Sequence, residues 1–327
     1  MLNKLVVVIA ALSSFQALAI ENGTPVDWQN DFDDFVSGNC TGLVIGGDQI
    51  LTAAHCGITG NYVVGNDGAE ITVNSKTDHP NYTGFSNYDV SVLEVDKQKT
   101  ENINFFADLN IATGVTGDSI TGYGFGGSPS TLKKGHFTIG IASSSADDRL
   151  YHGFAEGSVK AVHGDSGGAW FNSANNIIAI TYGDAGHSVY KGAISDLFYA
   201  RDFILEQIDG WHYPTVLNGS GTQTIKVQSL HQNSVVDAAY VAGDVVITGG
   251  TCQSLATINA FDTCTYELDV NGTGQLHLTT DEVIDINPPE APVTPPVTPP
   301  SSGGSGGSLG FLSLFGLLVW GRFRCEK

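Results

Sequence analysis

Basic residues are scarce in this chain: 14 Lys and Arg stand against 34 Asp and Glu among 327 residues, a formal net charge of −20. Such a surface repels a phosphate backbone, which excludes nucleic acid as a partner and leaves solubility as the plain consequence of the charge. Long apolar runs are missing too, and none reaches the roughly 20 residues of a membrane-spanning helix. There are only five cysteines, and no spacing among them resembles a zinc site. The Gly-rich stretch "GYGFGG" lacks the lysine and the strand-to-helix setting of a phosphate loop, so it reads as turns. No internal repeat and no long run of like charge is present. What remains, with 41% apolar residues, is a globular chain long enough for two modest domains.

The two ends differ from the body. Residues 1–19 carry one early cation, Lys4, then the apolar run "LVVVIAAL", then small residues closing at Ala17, Leu18 and Ala19. This is the pattern of an export signal whose removal by signal peptidase places Ile20 at the mature N-terminus. At the other end a Pro- and Gly/Ser-rich linker, 288–308, precedes an apolar block from Leu309 to Trp320 and the cations Arg322, Arg324 and Lys327. Small residues, apolar block and basic end resemble the GlyGly-type C-terminal sorting signal of Gram-negative bacteria. That resemblance implies a sorting protease that cuts near the glycines, transient membrane contact through the tail (309–327), and delivery to the cell surface or beyond.

Cys325 falls in the tail, which leaves Cys40, Cys56, Cys252 and Cys264 in an oxidising compartment. Three pairings are open. Local pairing, Cys40 with Cys56 and Cys252 with Cys264, closes short loops within separate regions.

From Ile20 onward short β-rich runs, "TGLVIGG", "QILTAA", "NYVVG", "EITVNS" and "DVSVLEV", alternate with Gly, Asn and Asp turns, which predicts an antiparallel barrel or sandwich. One helix is expected, 195–208, with apolar residues at Leu197, Phe198, Ala200, Ile204, Leu205 and Ile208. A second region, 213–287, alternates in "TQTIKVQS", "DVVITGG", "CTYELDV" and "QLHLTT", the pattern of a small antiparallel β-sandwich, and holds no grouped catalytic residue types.

The chemistry lies in three separated phrases. "LTAAHCG" holds His55, "HPNYTGFSNYDVSVLEV" holds Asp89, and "HGDSGGAW" holds Ser166. A serine hydroxyl needs a base to take its proton and a third group to fix the base's tautomer, and these residue types supply those roles. Around the serine, the glycines allow a tight turn whose amides at Gly164 and Ser166 can face a developing oxyanion.

At this point the chain resembles the chymotrypsin-like (trypsin-like) serine proteases. "TAAHC", "HPNY" with "NYDVSVL", "TGYG", "GDSGG", "IIAITYGDAG" and "KGAISDLFYARDFI" stand in that family's order from Ile20 to about Gly210. The resemblance implies two packed six-stranded antiparallel barrels with a C-terminal helix, protein or peptide substrates, and catalysis by His55, Asp89 and Ser166. It implies a Cys40–Cys56 bridge, a substrate-bordering strand at Thr181 to Gly183, an open pocket walled by Gly183 and Gly192, and an activation ion pair between the Ile20 ammonium and Asp165. The pocket-base position, six residues before the nucleophile, falls on Lys160. There an ammonium either selects acidic substrates or, in a shifted loop, points to solvent. His163 stands where it could line the cleft. The chain departs from the family in lacking the disulfides around the serine loop and the carboxylates of the calcium loop, so no metal and no cofactor is expected. The rival reading is a catalytically silent protease fold used as a binding or adhesion module. Such relatives commonly lose a triad residue or the "GDSGG" turn, both of which are kept here.

Overall fold

The computed structural model describes residues 20–83, 88–112, 114–126, 128, 130–140, 150–155, 157–183 and 190–289. The expected export segment, the linker beyond residue 289 and the sorting tail lie outside these residues.

A short strand β1 (Thr24–Pro25) and a one-turn helix α1 (Trp28–Asp31), capped by the Asp27 carboxylate, lead into the first barrel. That barrel is β2 (Phe35–Ser37), β3 (Thr41–Ile45), β4 (Gln49–Thr52), β5 (Tyr62–Val64), β6 (Glu70–Asp78) and β7 (Ser91–Val95), closed in the order β2-β3-β4-β7-β6-β5. Neighbouring side chains along a strand point to opposite faces, and here both faces are covered. Val44, Ile50 and Leu93 fill the barrel with Val36 and Val63. Leu43, Ile45, Leu51 and Val92 instead join the larger core shared with Phe125, Phe171 and Ile180. That double burial is why "TGLVI" reads as a continuous apolar run rather than an alternating one.

The second barrel contains β8 (Ser119–Gly124), β9 (Lys133–Ile139), β10 (Leu150–Ala155), β11 (Ala169–Phe171), β12 (Ile177–Gly183) and β13 (Tyr190–Asp196). Antiparallel pairing runs β8-β9-β10-β13-β12-β11 and returns to β8, closing the six-stranded ring. β1 adds to β9 from outside, so the residues just after Ile20 are stitched to this barrel.

The expected helix 195–208 is shorter. Ser195 and Asp196 still belong to β13, where Ser195 pairs with Leu150 and Ile180. The Asp196 carboxylate then accepts the Phe198 N–H and opens a 3₁₀ turn, Leu197–Ala200. The α-helix α2 covers Arg201–Ile208 and ends on Asp209 in the left-handed conformation.

The remaining sheet comprises β14 (Trp211–His212), β15 (Val216–Leu217), β16 (Gly221–Ser229), β17 (Tyr240–Gly249), β18 (Thr263–His277) and β19 (Val283–Ile286). The two strands expected at "CTYELDV" and "QLHLTT" are one, β18. The "NGTG" between them continues the strand and takes up a register shift against β17 instead of turning back. A Cβ on Gly274 would stand 2.5 Å from Val245 Cγ2 and 2.6 Å from the Ala242 carbonyl. β16 pairs with the first half of β18 and β19 with the second, while β17 follows the opposite edge. Both halves feed one core, Tyr266 and Leu268 together with Leu276, Ile284 and Ile286, which makes the region sandwich-like. β15 pairs with β19 in parallel.

The sheet and the barrels form one compact unit through Pro288. Leu230 and Phe261 of the sheet join the core of Leu205 and Phe203. Gln228 is wholly buried; its Oε1 accepts the Phe106 N–H at 2.9 Å and its amide N–H groups donate to the Phe106 and Phe261 carbonyls. Buried His212 accepts the Gly46 N–H at Nδ1, which leaves Nε2–H to donate to the Asn104 carbonyl at 2.8 Å. Burial lowers this imidazole to about 4.

Candidate active site

β4 and β7 pair side by side, with Thr52 opposite Ser91. His55 comes three residues after Thr52 and Asp89 two before Ser91, so the register alone brings them to one end of the same barrel. His55 Nδ1 lies 2.5 Å from Asp89 Oδ2, and the His55 backbone N–H donates to Asp89 Oδ1 at 2.8 Å. Asp89 is fully buried, whereas the imidazole is about a third exposed. A carboxylate at Nδ1 keeps the proton on that nitrogen and leaves Nε2 as the basic atom. The Cys40–Cys56 disulfide closes beside this turn, and Cys252–Cys264 closes the second local loop. Both sulfurs of the first bridge lie within 4.8 Å of a His55 nitrogen. Sulfurs already bonded to each other are not thiolate ligands, so this group does not make a metal site.

Ser166 lies on a loop shaped by three glycines. Gly164 and Gly167 have φ of 98° and 79°, a region that costs other residues strain. Space demands glycine as well. A Cβ on Gly167 would stand 2.3 Å from Thr52 Oγ1 and 2.9 Å from Ala53 N, so the residue after Ser166 rests on the strand end that leads to His55. Thr41, next to Cys40, holds the loop from the first barrel: its N–H donates to the Ser166 carbonyl at 2.9 Å and its hydroxyl to the Gly164 carbonyl at 3.0 Å. Among the described residues, the N–H groups of Gly164 and Ser166 donate to nothing.

Asp165 is buried beneath this loop. Its Oδ1 accepts Ile20 N at 3.2 Å and Gly126 N at 2.7 Å, and its Oδ2 accepts Val162 N at 2.7 Å. Burial pushes the carboxyl up to about 6, against the pull of those N–H groups and of Lys133. Ile20 has no exposed surface.

The expected pocket residues gather beside the serine loop. The backbone of Lys160 is bridged to Glu21 by two hydrogen bonds, 2.7 and 3.0 Å, and Ala161 N donates to the Lys191 carbonyl at 2.8 Å. That segment is therefore fixed in register, and Lys160 itself is half-buried. Gly192 faces Ala161 and the Trp170 ring, and a Cβ on Gly183 would meet open space. Thr181 is buried, and its neighbour Tyr182 puts its ring 6.1 Å from the imidazole of His55. Burial, then Asp89 and Tyr82, push the Tyr182 phenol up to about 12. Thr41 and Trp170 escaped the sequence reading. A threonine opening a strand and a tryptophan inside one carry no signal beyond packing.

Two packed six-stranded barrels, with a part-exposed histidine held by a buried aspartate at the end of one and a glycine-flanked serine loop from the other, define the chymotrypsin-like fold class. The family model described as Trypsin matches residues 22–204, more than half of the chain, and the chain belongs to that family. Solved structures to which it is similar include the Vibrio cholerae VesB protease, at 17% identity over 79% of this chain and 94% of that chain, with a TM-score of 0.48. The secreted serine protease VesC of the same organism is 16% identical over 78% of this chain and 66% of that chain, at 0.46. Neuropsin from mouse brain is 17% identical over 57% and 99%, at 0.47. Curated proteins searched by sequence show no match.

Proposed function

We propose that the chain is a secreted or surface-attached serine endopeptidase that cleaves proteins or peptides through an acyl-enzyme. The observation that carries this reading is the His55 Nδ1 to Asp89 Oδ2 bond at 2.5 Å beside a Ser166 loop that rests on the strand end leading to His55. His55 Nε2 takes the Ser166 hydroxyl proton as Oγ attacks the substrate carbonyl, then returns it to the leaving amine. Asp89 stabilises the imidazolium formed between those steps. The Gly164 and Ser166 amides, unused within the described protein, donate to the oxyanion. Water then cleaves the ester by the same path in reverse roles.

The reading divides the chain into an export signal (1–19), a protease domain (20–212), an accessory sheet (213–287), a linker (288–308) and a sorting tail (309–327). Signal peptidase exposes Ile20, whose ammonium then replaces the peptide N–H at Asp165, so that export and activation are one event. The disulfides fit an oxidising compartment. If the Lys160 ammonium lies at the pocket base, it favours an acidic side chain at the cleaved position, and Lys160→Asp then shifts a peptide-library profile toward Lys and Arg. An unchanged profile places Lys160 outside the pocket. The activity itself is tested by hydrolysis of an unstructured protein substrate by the form that starts at Ile20. Cleavage by wild type and none by Ser166→Ala is expected; equal cleavage by both ends the serine-protease reading.

A further inference from the structure

Buried Ile20 and the serine loop are joined by a second route besides the Asp165 carboxylate, and it runs through Trp170. This indole is fully buried, and its Nε1–H donates to Thr181 Oγ1 at 2.7 Å. The Thr181 hydroxyl in turn donates to the Gly168 carbonyl at 3.2 Å. Two backbone bonds of 2.8 Å complete the clasp, Thr181 N to the Gly168 carbonyl and Gly167 N to the Thr181 carbonyl. The two residues that follow Ser166 are thereby fixed to β12. A hydroxyl that accepts one bond and donates another has its proton direction set, and the Trp170 N–H is what sets it here.

On its other side Trp170 packs against Phe137, ring centroids 4.5 Å apart. Ile20 Cγ2 and the Phe137 ring both press on Gly135, 2.8 and 3.0 Å from where a Cβ would stand. Ile20, Phe137 and Trp170 share one core cluster. Gly122 and Gly192 leave room for the indole between β8 and β13; a Cβ on either would stand 2.8 or 3.2 Å from its ring. The stack is thus close-packed from Ile20 to Trp170, and close packing transmits displacement instead of absorbing it.

We infer that Trp170 is a positioning residue, coupling burial of the Ile20 side chain to the placement of Ser166 through Thr181 and Gly168. The inference rests on Ser166 being the nucleophile. It gives a tryptophan that never meets substrate an effect on turnover. Displacement of a reacting group by a fraction of an ångström to one ångström lowers the chemical step by about 10-fold to 100-fold without weakening substrate binding.

The test compares Trp170→Phe, which keeps an aromatic ring and removes the N–H, with Thr181→Val, which removes the shared hydroxyl. Both are measured for kcat, KM, titratable active sites and thermal midpoint on the form starting at Ile20. Each single variant is expected to lose kcat per titrated site by about 10-fold to 100-fold with KM within about 2-fold. The double variant should fall no lower than the weaker single, because both break one clasp, and Thr181→Ser should recover the kcat lost in Thr181→Val. Multiplying losses in the double variant, or unchanged kcat per titrated site with only a lowered midpoint, overturns the inference. Should Trp170→Phe not fold, Thr181→Val against Thr181→Ser decides by the same two readouts. Ser166→Ala in the same assay separates the two levels: an active Ser166→Ala refutes the protease reading, whereas an inactive Ser166→Ala with full turnover by Trp170→Phe and Thr181→Val refutes only the role given to Trp170.

Discussion

The first barrel holds His55 and Asp89 by bonds that never leave it: one ring-to-carboxylate contact, one backbone N–H to the same carboxylate, and a local disulfide beside them. The second barrel holds Ser166 only with help from elsewhere. Thr41 of the first barrel donates to the carbonyls of Gly164 and Ser166, and the Asp165 carboxylate beneath the loop is satisfied in part by Ile20, which precedes both barrels in the chain. The difference follows from where the charge is. Asp89 meets its partner on the same barrel, whereas Asp165 is a buried acid satisfied by backbone N–H groups, and in the proposed function its neutralising partner is an ammonium created at Ile20. Under the proposed function, one half of the site is complete on folding, and the other is conditional on the state of residue 20.

The largest effect is expected at the self-contained half. Asp89→Asn keeps the shape of the pair but removes the acceptor that holds the imidazole tautomer, and should lower kcat/KM by about 10⁴-fold with folding intact. A loss below 10-fold in steady-state peptide hydrolysis contradicts the role assigned to Asp89.

The conditional half should respond to a change that touches neither barrel's sequence. A residue added before Ile20 keeps its nitrogen in a peptide bond and denies Asp165 an ammonium. Turnover should fall by about 10²-fold to 10³-fold, while a ¹H NMR signal from the His55 Nδ1 proton persists. Loss of that signal together with activity would show that the first half is not independent.

Stability against pH sharpens the same contrast. With residue 20 in peptide linkage, the folded Asp165 carboxyl is raised to about 6 from an ordinary 3.8. The folded state then binds more protons than the unfolded one between those values, so this form loses stability as pH rises from about 4 to 6, by about 3 kcal/mol from this group. In the form starting at Ile20, the ammonium lowers the carboxyl and the loss shrinks. Denaturant titrations of both forms at several pH values give the difference, and parallel curves contradict it.

A smaller effect is expected where the accessory sheet meets the barrels. Gln228→Leu leaves the Phe106 N–H and carbonyl without the partners they have now, costing about 2 kcal/mol by the desolvation of unpaired groups. The form with both site halves should keep its kcat in this variant. A change in kcat without loss of stability would mean that the sheet acts on the site.

The sequence made the candidate site legible where chemistry needs particular residue types at particular places. His55, Asp89, Ser166 and the glycines of the serine loop were readable because few substitutes work there, and the short strands of the first barrel because turn residues punctuate them. Local pairing of the cysteines also fits what folding requires of the two loops. The rest is hidden by long-range packing. Nothing in "AWF" says that Trp170 reaches Thr181, and nothing in "NGTG" says that the chain runs on through Gly274 as one strand without reversing, since each depends on a neighbour distant in sequence. The helix start was misplaced for a related reason: Ser195 and Asp196 fit the helical period, yet β10 and β12 claim Ser195 for the sheet.

The proposed function requires Ser166 to be a nucleophile activated in the form that begins at Ile20. An active-site-directed fluorophosphonate tests it directly, with the adduct located by peptide mass spectrometry. One stoichiometric adduct is expected, on Ser166, in the form starting at Ile20, with strongly slowed labelling in the form extended by one residue and none in Ser166→Ala. No labelling of the form starting at Ile20, or an adduct on another residue, would contradict it.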